Sequence, residues 1–96
     1  MQRHNERAIT LGLVAAALGQ LGFEIEDVDD SEYGADRYFT VAISTRADYP
    51  FDESLFSFYL NEYNKASGFV KPGLYRVEEY PAKERNFIRY YITVVV

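Results

Sequence analysis

The sequence contains no cysteine, no tryptophan, one histidine, one methionine and three prolines in 96 residues. Without cysteine there is no disulfide framework and no thiolate metal site, and nothing calls for an oxidising compartment. The lone histidine, His4, falls in a segment expected to fray, so a Ser–His–Asp constellation has no fixed base to build on. None of the six glycines forms a phosphate-cradling loop or a GxGxxG pattern. The adjacent carboxylates Glu78 and Glu79 alternate across a strand and cannot share a site. The chain therefore reads as a non-enzyme that uses no cofactor and no metal. Long hydrophobic runs are missing too. The longest uncharged stretch, Ala8 to Phe23, is 16 residues and is diluted by Thr10, Gly12, Gly19 and Gln20. A bilayer crossing needs about 20 strongly apolar residues. No basic segment precedes a greasy core with a cleavage site, so no secretion signal is read and a cytoplasmic location away from membranes is expected.

Aromatic residues are abundant. Nine tyrosines and seven phenylalanines make 17% of the chain. A domain of this size buries only about two-thirds of its unfolded surface, and large rings fill a small core efficiently. Tyrosine also suits interfaces, being apolar along its body and polar at its tip. Hydrophobic residues at 48% and charged residues at 26% are those of an ordinary soluble domain, and 96 residues leave room for one only.

The apolar pattern gives the order of elements. Leu11, Val14, Leu18 and Leu21, widened by Ile9, Leu13 and Ala17, form a stripe on a helix that Asn5 can cap and Gly22 can end. Ala8, Gly12, Ala15, Ala16 and Gly19 make a small-residue surface that would admit a close backbone neighbour. Phe23 to Val28 reads as a strand, Asp29 to Asp36 as a turn or loop, and Arg37 to Thr45 as a clear alternating strand. A second helix spans Glu53 to Ser67 behind an Asp52 cap, with Phe56 and Leu60 on the face shared by Leu55, Tyr59 and Tyr63. Leu74 to Tyr80 and Phe87 to Val96 complete the pattern as strands. The fold class expected over residues 1–96 is α+β: a two-layer sandwich in αββαββ order, a four-stranded antiparallel sheet with two helices on one face. The two αββ halves echo each other in Gly22-Phe23 and Gly68-Phe69, and in Arg37-Tyr38-Phe39 and Arg89-Tyr90-Tyr91.

The sharpest local feature is acidic. Glu24, Glu26, Asp27, Asp29, Asp30, Glu32 and Asp36 put seven of fifteen acids in thirteen residues without one Lys or Arg. With a net charge of −5 overall, that segment carries −7 and the remainder +2. A charge so localised makes a directed field, suited to docking on a protein partner with a basic surface. The exposed tyrosines Tyr33 and Tyr49 would supply anchors. The segment offers oxygen ligands, but it departs from an EF-hand loop: the glycine comes late, at Gly34, and Tyr38 stands where a bidentate Glu belongs.

A second candidate is apolar. In the last strand Ile88, Tyr90, Ile92, Val94 and Val96 share one face, while Phe87, Tyr91 and Val95 make the other largely apolar as well. A strand of this kind needs cover on both faces. Either a helix-free sheet face is partly greasy or another chain covers it, which makes a homodimer through Ile92, Val94 and Val96 a second expectation. An aromatic sheet could also stack single-stranded nucleic acid, using Tyr38, Tyr75, Tyr90 and Tyr91 beside Arg37, Arg76 and Arg89. The net negative charge and the element order weigh against direct nucleic-acid binding.

In size, acidity and tyrosine content the chain resembles the small, cysteine-free, anti-CRISPR-like inhibitors that phages and mobile elements direct against host complexes. That resemblance implies a non-catalytic inhibitor or adaptor. It would dock the acidic hairpin on a larger, nucleic-acid-handling protein or complex.

Overall fold

The computed structural model describes residues 3–33, 36–67 and 73–95. The order is α1 (Arg3–Gln20), β1 (Asp27–Tyr33), β2 (Asp36–Arg46), α2 (Glu53–Ser67), β3 (Gly73–Pro81) and β4 (Phe87–Val95). The four strands form one antiparallel sheet in the order β1-β2-β4-β3. The α+β class and the αββαββ order are as the apolar pattern predicts. Each half supplies a helix, an edge strand and a central strand. Because β2 and β3 both run antiparallel to β4, they are parallel to each other, and the passage through α2 is a βαβ unit split by β4.

The core lies between the helices and one face of the sheet. Phe39, Val41, Ile43 and Thr45 of β2 stand in register with Val94, Ile92, Tyr90 and Ile88 of β4. Against this inner face lie Val14, Ala17 and Leu18 of α1, Leu21 just after it, and Phe56 and Leu60 of α2. Phe51 enters from the β2–α2 connection, its ring 5.4 Å from that of Phe56 and 5.5 Å from that of Tyr90. Each fully buried large side chain contributes about 1.5–3 kcal/mol. The helices are tied further by the Tyr63 hydroxyl, which donates to Gln20 Oε1 at 3.2 Å.

The helix ends follow local rules. The Asp52 carboxylate accepts the Leu55 N–H at 3.1 Å, closing the N-terminus of α2. At the end of α1, Gly22 takes φ +88°, with its N–H on the Gly19 carbonyl and the Phe23 N–H on that of Leu18. This Schellman pattern satisfies two orphan carbonyls. It also turns the chain, which is why β1 begins at Asp27 and not at Phe23. Residues 23–26 cross from the helix layer to the sheet, with Phe23 and Ile25 half-buried against the core.

Four expectations need correction. The acidic segment is a strand and not a loop: Asp27–Tyr33 pairs residue by residue with β2. His4 falls inside α1, which starts at Arg3. Among the described residues the small-residue surface of α1 receives no neighbour, since a Cβ at Gly12 or Gly19 would meet nothing within 4 Å. Finally, Ile92 and Val94 are not a self-association edge. They are fully buried on the inner face, and β4 is hydrogen-bonded on both sides, to β2 and β3. Val96 lies outside the described residues.

No helix among the described residues is long and apolar enough to cross a membrane.

Two stability predictions follow from this packing. Thr10 is fully buried and its hydroxyl has no hydrogen-bond partner. Thr10→Val keeps the shape, removes the uncompensated polar atom and should stabilise by about 1 kcal/mol, raising Tm by about 4–8 °C. Ile92→Asp places an unpaired charge in the core and should cost more than about 4 kcal/mol, read as loss of the cooperative thermal transition.

Candidate functional site

With both helices on the inner face, the outer face of the sheet is left to the side chains of alternate strand residues. From β4 these are Phe87, Arg89, Tyr91 and Thr93, and from β2 Thr40, Ala42 and Ser44, their register partners. β3 adds Arg76, Glu78 and Tyr80, and β1 adds Asp27 and Asp29. The centre is closed by small residues: the Thr40 and Thr93 hydroxyls lie 2.8 Å apart in a hydrogen bond, and Ala42 is buried beside them.

Towards the β3–β4 turn the face opens into a depression of about 1000 Å³. Arg89, Tyr91, Tyr80 and Phe87 line it, with Glu26, Ser44 and Glu78 at its sides and Pro81, Ala82, Lys83 and Glu84 from the turn. Arg89 is its fixed point. Its Nη1 donates to Glu26 Oε1 at 3.1 Å and to Ser44 Oγ at 3.4 Å, and its Nε to the Tyr91 hydroxyl at 3.3 Å. The guanidinium carbon is 5.5 Å from the Tyr91 ring centroid. The Tyr91 hydroxyl, helped by the charges of Glu26 and Asp27, holds the guanidinium above its ordinary value. Tyr80 meets Tyr91 edge to face at 5.6 Å and donates its hydroxyl to Glu78 Oε2 at 2.7 Å. Glu78 also pairs with Arg76 at 3.3 Å. Tyr80 and Phe87 remain 47% and 36% exposed, so their rings are open to a partner. The turn that frames them is set by Asn86, whose φ of +69° suits asparagine and whose carbonyl accepts the Ala47 N–H at 2.8 Å.

Of the acidic residues singled out from the sequence, Asp27 and Asp29 share this face by register. Glu24 and Glu26 are exposed in the connection before β1, and Asp27 and Asp29 are exposed on β1. Asp30, Glu32 and Tyr33 occupy β1 positions and Asp36 opens β2; their side chains lie outside the described set. Of the four acids whose side chains are described, Glu26 is the one that lines the depression. Tyr49 is 56% exposed, yet it has a structural task. Its hydroxyl donates to the Leu21 carbonyl at 3.1 Å and its ring lies 5.5 Å from that of Phe23, pinning the end of α1. Among the described residues, no group of three or more His, Asp or Glu could hold a metal ion.

The aromatic residues of a stacking sheet are divided between the faces. Tyr91 is on the outer face, Tyr90 is in the core, and the Tyr75 side chain lies outside the described set. Sequence reasoning missed Tyr80, Phe87 and Glu78 as a site. The available signal was the two-sided apolar pattern of Phe87 to Val96, which left a partly greasy helix-free face as one of its two readings.

The tyrosines offer a direct readout. The hydrogen bond to Glu78, followed by that carboxylate's charge, raises the Tyr80 pKa, and burial raises that of Tyr90. Each prefers its neutral form when folded, so their contribution is intact below the unfolded tyrosine value near pH 10 and is lost as pH rises through the folded values. In an alkaline titration followed by phenolate absorbance, both should ionise after ordinary tyrosines. Glu78→Gln should bring Tyr80 back towards the ordinary value and leave Tyr90 late.

No protein-family model and no curated protein matches the chain. Solved structures do match. One is the type 4 fimbrial biogenesis protein PilO from Pseudomonas aeruginosa, at a TM-score of 0.69 and 14% sequence identity, covering 100% of this chain and 70% of the other. At that identity the similarity establishes a shared fold across the whole length of this chain.

Proposed function

We propose that this chain is a non-catalytic interaction module that joins a multi-component assembly by docking a protein partner on the outer face of its sheet. The observation that carries the reading is the outer face itself, which no described element covers. It presents exposed Tyr80 and Phe87 beside the fixed Arg89, the residue types on which protein interfaces concentrate their binding energy. The flanking acids of β1 favour a partner with a basic surface, steered by the field and then held by the rings. The structural neighbour's described role, in biogenesis of type 4 fimbriae, supports an assembly task. It offers no support for the inhibitor of a host complex expected from size and composition.

The alternatives lose ground on specific features. Self-association through β4 has no free strand edge to use. Single-stranded nucleic acid would meet Glu26, Asp27, Asp29, Glu78 and Glu84 on or beside this face, while Arg89 is already engaged by Glu26.

The test is a photo-crosslinking amino acid at position 87 in the source cell, compared with the same group at exposed Ala15 on α1. Position 87 should capture one discrete protein that position 15 does not, and Phe87→Ser with Tyr80→Ser should lower retention of that protein at least tenfold. Equal capture from both positions, or unchanged retention by the double variant, would sink the proposal.

A further inference from the structure

Building on that reading, we infer that the depression beside Tyr80 and Phe87 receives an arginine or lysine side chain of the partner, carried on a segment with an apolar neighbour. The lining supplies three carboxylates, Glu26, Glu78 and Glu84, against two cations, Lys83 and Arg89. Asp27 and Asp29 on β1 add negative charge on the same side of the sheet. The arginines of the face are held by carboxylates of this chain: Arg89 by Glu26 at 3.1 Å and Arg76 by Glu78 at 3.3 Å. Arg46, at the border, is held by Asp48 at 3.0 Å. Over the described side chains of this face the five acids Glu26, Asp27, Asp29, Glu78 and Glu84 outnumber the three cations Arg76, Lys83 and Arg89 by two, so the complementary side chain is a cation.

The rings define how such a cation would sit. The face already handles one guanidinium in this way: Arg89 lies 5.5 Å from the Tyr91 ring, held by a carboxylate and a phenol oxygen. Tyr80 repeats the elements one strand further out, an exposed ring whose hydroxyl is bonded to a carboxylate. A guanidinium or ammonium over that ring gains a cation–π contact and shares the Glu78 carboxylate with Arg76. Pro81, Ala82 and Phe87 offer apolar ground for the neighbouring residue. A depression of about 1000 Å³ holds more than one side chain, which is why the occupant is a short segment.

The probe is a random twelve-residue peptide library displayed on phage, panned on the wild-type chain with the Tyr80→Ser, Phe87→Ser double variant as counter-target. Both positions are exposed, and an unchanged melting temperature verifies that the variant is folded. Selected peptides should be enriched several-fold in Arg or Lys at one position beside an aliphatic or aromatic residue. Their affinity should fall at least tenfold in Glu78→Gln with Glu84→Gln, and fall with salt. Enrichment in Asp or Glu, or in apolar residues alone, would overturn the cation preference while leaving the face as a docking surface. Absence of any peptide that distinguishes wild type from the double variant would overturn the inference, with the crosslink at position 87 still deciding the broader reading. A dimer of this chain, seen in sedimentation and dissolved by the same double variant, would overturn it in favour of a second copy.

Discussion

The ladder between β2 and β4 is the constraint on which the rest of the structure depends. It runs from Tyr38 opposite Val95 to Arg46 opposite Phe87, and it places two apolar rows side by side on the inner face. Phe39, Val41 and Ile43 with Tyr90, Ile92 and Val94 are the floor on which both helices rest. A slip of β4 by one residue against β2 would turn Tyr90, Ile92 and Val94 outward and bring Arg89, Tyr91 and Thr93 into the core. The register is therefore fixed by burial, and the outer face inherits its geometry from the same pairing.

That inheritance explains why the outer face is organised without contributing much to stability. Arg89 and Glu26 are each partly exposed, at 30% and 45%, and such a pair is worth about 0.5–1 kcal/mol. The Thr40–Thr93 hydrogen bond is of similar size, about 1 kcal/mol. Burial of a single inner residue such as Ile92 outweighs either. The polar contacts of the outer face act mainly on shape. They hold Tyr91 and Arg89 in one arrangement, so that Tyr80 and Phe87 stand beside a surface that does not need to reorganise on contact.

Much of this was legible in the sequence because period and position agreed. The alternation of Phe39, Val41 and Ile43, the Asp52 cap and the Gly22 terminus each follow from local rules, and each is found in place. The two-sided apolar pattern of β4 already implied either a central strand or a second chain, and burial of Ile92 and Val94 selects the first. β1 was not legible. Asp27-Val28-Asp29-Asp30-Ser31-Glu32-Tyr33 is poor in strand-forming residues and rich in turn formers, and only its pairing with β2 makes it a strand. The depression was hidden for a related reason. Tyr80 and Arg89 are partners in the β3–β4 hairpin, but Glu26 is far away in sequence, and no local pattern records that the pairing of β2 with β4 brings it to them.

The acids of β1 then acquire a reason that a loop would not have given them. β1 and β3 are the two edges of the sheet, and an unpaired edge invites pairing with other chains. β1 meets that hazard with charge, whereas β3 carries a register irregularity between Leu74 and Arg76 and ends at Pro81. Poor strand propensity costs at most about 1 kcal/mol per site, a modest price for an edge that repels its own copies. The same charges also shape the approach of a partner. At physiological salt their field decays over about 8 Å, while three strand spacings put β3 about 14 Å from β1. The acids can therefore bias encounter and orientation across the face, but their attraction is screened where Tyr80 and Phe87 stand. Contact there has to be made by the rings and by the carboxylates beside them, which is where the depression lies.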